Sequence, residues 1–262
     1  MSSISFRDAF DRAKNASQNL APYTSKPVSA GLAITFTVYG FIAKTALQLG
    51  KKRPKITFKT TDIKAGAAKT ISAKQLLAEG VKAAPKIGAA VGAQMLSQEW
   101  VENKVNSLIN SSEKGKNIIS IATSSAIVGA ISSPFLAAFN GQTMGYSFLK
   151  SMRMLSAKQV GVIGVRETNF IFSLRASKPL GEKMKQYNDT KATENVASFI
   201  AGYLGSIAGH IPDTALTLFQ KSRKITSLSQ LMRGANTRAV AVGIFTIIYN
   251  NSNDLLDCFA KK

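Results

Sequence analysis

Three basic residues, Lys86, Arg166 and Arg238, each open an otherwise apolar run of the chain. A cation sunk among apolar residues is costly unless it faces water and meets an anion, so the series points to carboxylate or phosphate recognition. The plainer alternative is that one or more of them sits at a helix end and snorkels to a polar boundary. Glu167 follows Arg166 directly. It either neutralises that arginine or takes a substrate amine while the arginine takes a carboxylate. A second series closes the alternate runs, where a glutamine recurs as Gln48, Gln142 and Gln220, with Lys44 and Asp213 a few residues ahead of the first and last. His210 precedes Ile211-Pro212-Asp213 and either titrates with that acid or is a passive buried ring, the passive role being the commoner one for a lone histidine. One histidine and one cysteine, Cys258, leave no His-rich or Cys-based metal site and no intramolecular disulfide. Gly-rich phosphate loops, paired catalytic carboxylates and a Ser–His–Asp arrangement are missing as motifs, so no enzyme, catalytic residue, cofactor or metal is expected. Asp254 and Asp257, near the C-terminus, read as solvated surface charge.

The elements that must carry these residues are six apolar runs, at about 27–49, 83–108, 117–139, 160–174, 196–219 and 238–259. They are rich in Gly, Ala, Ser and Thr rather than solid Leu and Ile, which suits spans packed on one another around a polar interior. Ser125, Gly129 and Ser133 recur every four residues in the third run, and Ala201, Gly205 and Gly209 in the fifth, so each set lies on one helix face. Of the 262 residues, 45% are hydrophobic and 18% charged, yet the net charge is +20, from 34 Lys and Arg against 14 Asp and Glu. The cations cluster in short loops such as Lys51-Lys52-Arg53-Pro54-Lys55 and Lys221-Ser222-Arg223-Lys224. Between the clusters lie stretches of roughly 20 residues nearly free of charge, about the span of a bilayer core. That distribution favours membrane spans with basic loops against anionic lipid over a nucleic-acid binder, whose basic face is continuous and interleaved with aromatics. Met1 to Leu20 has no apolar core for a secretory signal, and Asp8 and Asp11 argue against a cleavable presequence; a short surface helix is expected there.

With these residues in place the chain resembles the mitochondrial carrier family. Its repeat joins an odd helix ending in Pro-x-Asp/Glu-x-x-Lys/Arg-x-Lys/Arg, usually followed by Gln, to a short matrix helix and an even helix. Ile211-Pro212-Asp213-Thr214-Ala215-Leu216-Thr217-Leu218-Phe219-Gln220 is similar to the first part, with the proline displaced by one. Leu231-Met232-Arg233-Gly234 resembles the family's Leu-Tyr-Arg-Gly run, and Tyr249 falls where the family has a tyrosine. The second repeat supplies Ser133-Pro134-Phe135 and Arg166-Glu167-Thr168-Asn169-Phe170; the first retains Lys44, Gln48, Gly80, Lys86 and Gln98-Glu99. The resemblance implies an all-α membrane protein of six transmembrane helices in three pseudo-symmetric helix-pair repeats. The boundaries expected are an N-terminal segment at 1–24 and repeats at 25–112, 113–190 and 191–262.

It further implies Lys86, Arg166, Glu167 and Arg238 as substrate-contact positions, and Lys44, Gln48, Gln142, Asp213 and Gln220 as gate residues. The function so implied is alternating-access transport of a small anionic or zwitterionic metabolite (amino acid, carboxylate or nucleotide) by a monomer in the mitochondrial inner membrane, with cardiolipin-like anionic lipid at the basic loops and no nucleic acid. The Arg-Glu pair looks more like amino-acid carriers, and the Arg-Arg-Arg-Met-Met-Met run of adenine-nucleotide exchangers is absent. The departures lie in the gates. Leu216 and Phe139 stand where bases are expected, Tyr39 and Phe41 replace Pro and Asp, and Glu99, Glu102 and Lys104 with Tyr249-Asn250-Asn251 make a thin outer pattern. Two alternatives therefore stand beside transport: a degenerate carrier fold kept as a scaffold or receptor, and a carrier-like effector secreted by an intracellular bacterium.

Overall fold

A computed structural model of the chain describes residues 6–57, 70–108, 113–143, 148–153, 156–220 and 223–260. The protein is all-α apart from one small sheet. Helix α1 runs from Phe6 to Gln48, α2 from Ala73 to Leu108, α3 from Glu113 to Thr143 and α5 from Ala157 to Lys185, with a short α4 at Phe148–Arg153. Helices α6 (Lys191–Ala208) and α7 (His210–Gln220) form one broken column, α8 is a single turn at Leu228–Leu231, and α9 spans Ala235–Ala260. Strands β1 (Lys55–Thr57) and β2 (Thr70–Ser72) pair in parallel between α1 and α2, a feature the helical reading of the sequence did not include.

The long helices close into a ring in chain order. α1 packs on α2, α2 on α3, α3 on α5, α5 on α6, α6 on α9, and α9 returns to α1. Small residues let the backbones meet. A Cβ on Gly80 would lie 2.7 Å from the Thr35 carbonyl oxygen, one on Gly202 2.4 Å from Thr246 Oγ1, and one on Gly40 2.4 Å from the Ala241 Cβ. Residues 6–24 are helical and continuous with the rest of α1 rather than a separate surface helix.

The starts of α2, α5 and α8 share a device. Gln75 N donates to Ser72 Oγ, Gln159 N to Ser156 Oγ and Gln230 N to Ser227 Oγ, each at 3.2 Å. In the first two cases the glutamine side chain also accepts from the serine backbone, which completes a capping box. Ser72-Ala73-Lys74-Gln75, Ser156-Ala157-Lys158-Gln159 and Ser227-Leu228-Ser229-Gln230 are thus one motif used three times. Pro212 sits in the first turn of α7, where its missing N–H costs no helical hydrogen bond. The break at Gly209 therefore begins a new helix at low cost and brings Asp213 near its N-terminus, where a carboxylate is favoured.

The ring is polar inside and apolar outside. Buried residues include Lys44, Gln48, Gln94, Gln98, Glu102, Glu167, His210, Asp213, Arg238 and a run of serines. Every column meanwhile exposes large apolar side chains, for example Phe36 at 69% on α1, Val81 at 57% on α2, Ile131 at 64% on α3, Val165 at 54% on α5, Leu204 at 60% on α6 and Ile244 at 41% on α9. Among the described residues one stretch, Thr24–Gln48, is long and apolar enough to cross a membrane by composition alone; Ile118–Pro134 is apolar but shorter. The other columns are diluted by their inward polar residues.

Candidate functional site

All six columns send a polar side chain to one buried cluster. Its centre is Asp213, on the first turn of α7. Lys44 Nζ of α1 donates to Asp213 Oδ2 at 2.7 Å, and Gln48 Nε2 donates to the same oxygen at 2.8 Å and to Thr214 Oγ1 at 2.9 Å. Thr217 Oγ1 returns a bond to Gln48 Oε1 at 3.1 Å. From α5, Arg166 Nη1 lies 3.5 Å from Asp213 Oδ1, and from α9, Arg238 Nε lies 3.8 Å from Asp213 Oδ2. Arg166 is mainly spent on its neighbour, with Nε donating to Glu167 Oε1 at 2.7 Å and Nη2 on the same oxygen. Gln94 Nε2 of α2 donates to Glu167 Oε2 at 3.0 Å and meets Ser132 Oγ of α3 at 3.1 Å. Arg238 Nη1 caps the end of α6 by donating to the Ser206 carbonyl at 2.7 Å.

The cluster holds Lys44, Arg166 and Arg238 against Asp213 and Glu167, three positive charges to two negative. Burying charges is tolerated only where partners and hydrogen bonds replace water, and here one positive charge is left over. Arg238 has the weakest ionic partner of the three cations. His210 Nε2 lies 3.1 Å from the Arg233 carbonyl, which can only accept, so that nitrogen carries the proton and the ring ties α7 to the turn before α9. Its buried Nδ1 has no hydrogen-bond partner among the described residues.

Residues assigned to a gate and residues assigned to substrate contact therefore meet in one cluster: Lys44, Gln48 and Asp213 with Arg166, Glu167 and Arg238. Lys86 does not join them. It is exposed on α2 and makes no ion pair among the described residues. Counted from the Ser-x-x-Gln motif, Arg166 lies ten residues after Ser156 and Arg238 eleven after Ser227, whereas Lys86 lies fourteen after Ser72 and the residue ten after it is Lys82. Lys82 is exposed as well and pairs with Glu79. The first repeat thus contributes its cation from α1, through Lys44. The side chains of Gln142 and Gln220 lie outside the described residues. The cluster members not singled out from sequence are Gln94, Ser132, Thr214 and Thr217, polar residues whose period marks only an inward helix face.

Where an ionic partner of α7 is lacking, an apolar contact takes its place. Leu216, 3% exposed and one turn past Asp213, forms a small apolar cluster with Ile163 of α5, and Val162 of α5 and Leu136 of α3 pack against that cluster. An apolar contact of this kind holds the corner without the desolvation cost of a buried ion pair. Leu216→Lys is expected to cost on the order of 3–5 kcal/mol, and adding Leu136→Asp to recover part of it. Thermal melting of the two single and one double variant in detergent measures that coupling.

Farther along α5 and α9 an apolar layer follows, in which Phe170 and Tyr249 flank Phe245 with ring centroids 5.8 and 6.2 Å away. Beyond it lies a second polar layer. Arg175 Nη2 and Nε hold Glu102 Oε2 at 2.8 and 3.0 Å, linking α5 to α2 past α3. Asn250 Nδ2 donates to Ser177 Oγ and Ser198 Oγ at 2.9 Å each. Glu102 and Asn250 belong to the thin outer pattern of the sequence; Arg175 supplies the partner that spacing did not indicate. At the rim, Lys185 and Lys191 each contact Glu194 at 2.6 Å, and the hydrogen bonds they donate, Lys185's foremost, hold that carboxyl below the usual carboxylate range. The rim clamp is therefore present above the ordinary carboxylate pKa and is lost as pH falls through Glu194's lowered value.

No protein-family model matches the chain, and no curated protein matches it significantly. The case for any function accordingly rests on the cluster and the ring that holds it.

Proposed function

We propose that the chain is a membrane transporter of the mitochondrial carrier type, its six columns spanning the inner membrane as three helix-pair repeats and moving a small organic anion by alternating access. The observation that carries this reading is the surplus positive charge buried among Lys44, Arg166, Arg238, Asp213 and Glu167, inside a ring whose outer face is apolar on every column. A surplus cation at that depth is stable when an anion meets it. Glu167 is already engaged by Arg166 and Gln94, which leaves no free carboxylate for a substrate amine. The substrate class is therefore anionic rather than zwitterionic, and a single carboxylate balances the cluster.

An entering carboxylate competes with Asp213 for Arg238 and Arg166. Taking those arginines leaves Asp213 to Lys44 and Gln48 alone, so occupancy of the site and the fastening of α7 are one equilibrium. A ligand shifts such an equilibrium only by its differential affinity for the two states. The basic ends, Lys51, Lys52, Arg53 and Lys55 with Arg223, Lys224 and Arg233, suit the anionic lipid of that membrane. Their clustering at one end of the ring is supported by the bond from Arg223 Nη1 to the Leu49 carbonyl at 2.9 Å.

Proteoliposomes loaded with monocarboxylates, dicarboxylates, zwitterionic amino acids or nucleotides test the proposal. Uptake or exchange of monoanions above zwitterions is expected. A second reading, a non-transporting scaffold, draws on the apolar cluster around Ile163 and Leu216 and the Phe170–Phe245–Tyr249 layer, both of which must separate before a solute can pass. Folded protein that moves no member of the panel decides for it.

A further inference from the structure

Along the outer face of the α1–α2 seam runs an apolar groove of about 610 Å³, floored by Gly31, Ala84 and Gly88 and walled by Pro27, Leu32 and Ala93. It exists because the two backbones touch: a Cβ on Gly88 would lie 2.5 Å from the Pro27 carbonyl oxygen, and one on Gly92 2.4 Å from the Pro27 ring. Small residues at the contact leave a trough between the larger side chains on either bank. On α2 the groove reaches from Ala84 to Leu96, about 18 Å at 1.5 Å per residue. Half of a hydrocarbon core is about 15 Å, so the groove has the length of one leaflet's acyl chain.

Its Leu96 end is marked for a headgroup. Leu96, Trp100 and Lys104 follow at four-residue steps and so share one strip of the helix. Trp100 is 65% exposed, and Lys104 is exposed with no ion pair among the described residues. The neighbouring acid, Glu99, is tied to Lys26 of α1. The apolar stretch of α1 begins at Thr24, and Pro27 lies against Gly92, so Trp100 and Lys104 stand past the point where the span starts. An exposed indole followed by an unpaired ammonium is the arrangement that meets the boundary between acyl chains and phosphates.

We propose that this groove seats one acyl chain of an anionic phospholipid, with the lipid phosphate on Lys104 beside Trp100. The site lies at the opposite end of α1 and α2 from the basic loops at Lys51–Lys55, and it rests on the membrane reading given above. Trp100 is the only tryptophan in the chain, so its fluorescence reports this place alone.

The full-length protein would be reconstituted in phosphatidylcholine vesicles containing a small fraction of phosphatidylglycerol or phosphatidylcholine brominated high on its acyl chains. Brominated phosphatidylglycerol is expected to quench Trp100 several-fold more than brominated phosphatidylcholine at equal fraction. Ala93→Phe, or Ala89→Phe as a second variant that fills the groove from an exposed position, should reduce quenching by phosphatidylglycerol to the phosphatidylcholine level. Lys104→Gln should abolish the difference between headgroups. Equal quenching by the two lipids in the native chain, unchanged by either groove-filling variant, overturns the lipid site while leaving the membrane reading intact. Absence of quenching by both lipids overturns the membrane reading and the lipid site together.

Discussion

Asp213→Asn should lower the stability of the protein by about 3–5 kcal/mol, the usual cost of breaking a buried ion pair and leaving its partner uncompensated. Three cations, Lys44, Arg166 and Arg238, converge on that one side chain from three columns, and the amide leaves them with Glu167 as the only acid. The surplus rises from one positive charge to two. A drop in melting temperature on the order of 10 °C in detergent is the expected reading. Adding Lys44→Gln returns the surplus to one and should recover a good part of the loss, with the coupling read from the double-mutant cycle. If the double variant is no more stable than Asp213→Asn alone, the cluster is not held by charge balance, and its glutamine and threonine bonds carry the contact.

Arg238→Met should act in the opposite sense on the two properties. Arg238 is 6% exposed, its ionic contact with Asp213 is the longest in the cluster, and its best partner is the Ser206 carbonyl. Its burial is thus poorly compensated, and its removal leaves two positive and two negative charges. Stability should hold or improve, since an apolar side chain of similar length carries no desolvation cost. Anion uptake should fall about 10- to 100-fold, the value of one hydrogen bond to a charged group. Loss of stability together with uptake would make Arg238 a structural tie between α6 and α9. Retained uptake with retained stability would place the anion elsewhere.

The columns were legible because their apolar runs are long. The run at 160–174 underestimates α5, which extends to Lys185, because the helix continues once its partner α9 supplies polar contacts for Ser177 and Lys178. The run at 196–219 hides a break at Gly209, since Pro212 disturbs composition little but begins a new helix. Within the site, Asp213, Lys44 and Arg238 were recognisable as charges in apolar surroundings. Lys86 failed because the first basic residue of an apolar run does not fix depth or facing. The Ser-x-x-Gln motif was also available in the sequence and marks where α2, α5 and α8 begin; its residues are polar and local, and a search for hydrophobic period passes over them. The apolar cluster of Ile163 and Leu216 was invisible for the opposite reason, as two aliphatic residues far apart in sequence carry no mark of having met.

The seams of the ring are not alike. α1–α2, α3–α5, α5–α6, α6–α9 and α9–α1 each bring a glycine against its neighbour, as with Gly129 at Thr168 and Gly205 at Ser173. At α2–α3 no glycine of the described residues meets the partner helix, and the join is made by side-chain hydrogen bonds, with Gln98 donating to Ser124 and Ser125 at 2.6 and 3.1 Å and Gln94 to Ser132 at 3.1 Å. Interlocked backbones resist sliding and tilting, because any shift drives atoms into atoms. A seam of rotatable side chains has slack: glutamine can exchange one hydroxyl for another as the helices shear. The closed circle therefore has a built-in fault line between its first and second helix pairs, and strain applied anywhere on the circumference collects there.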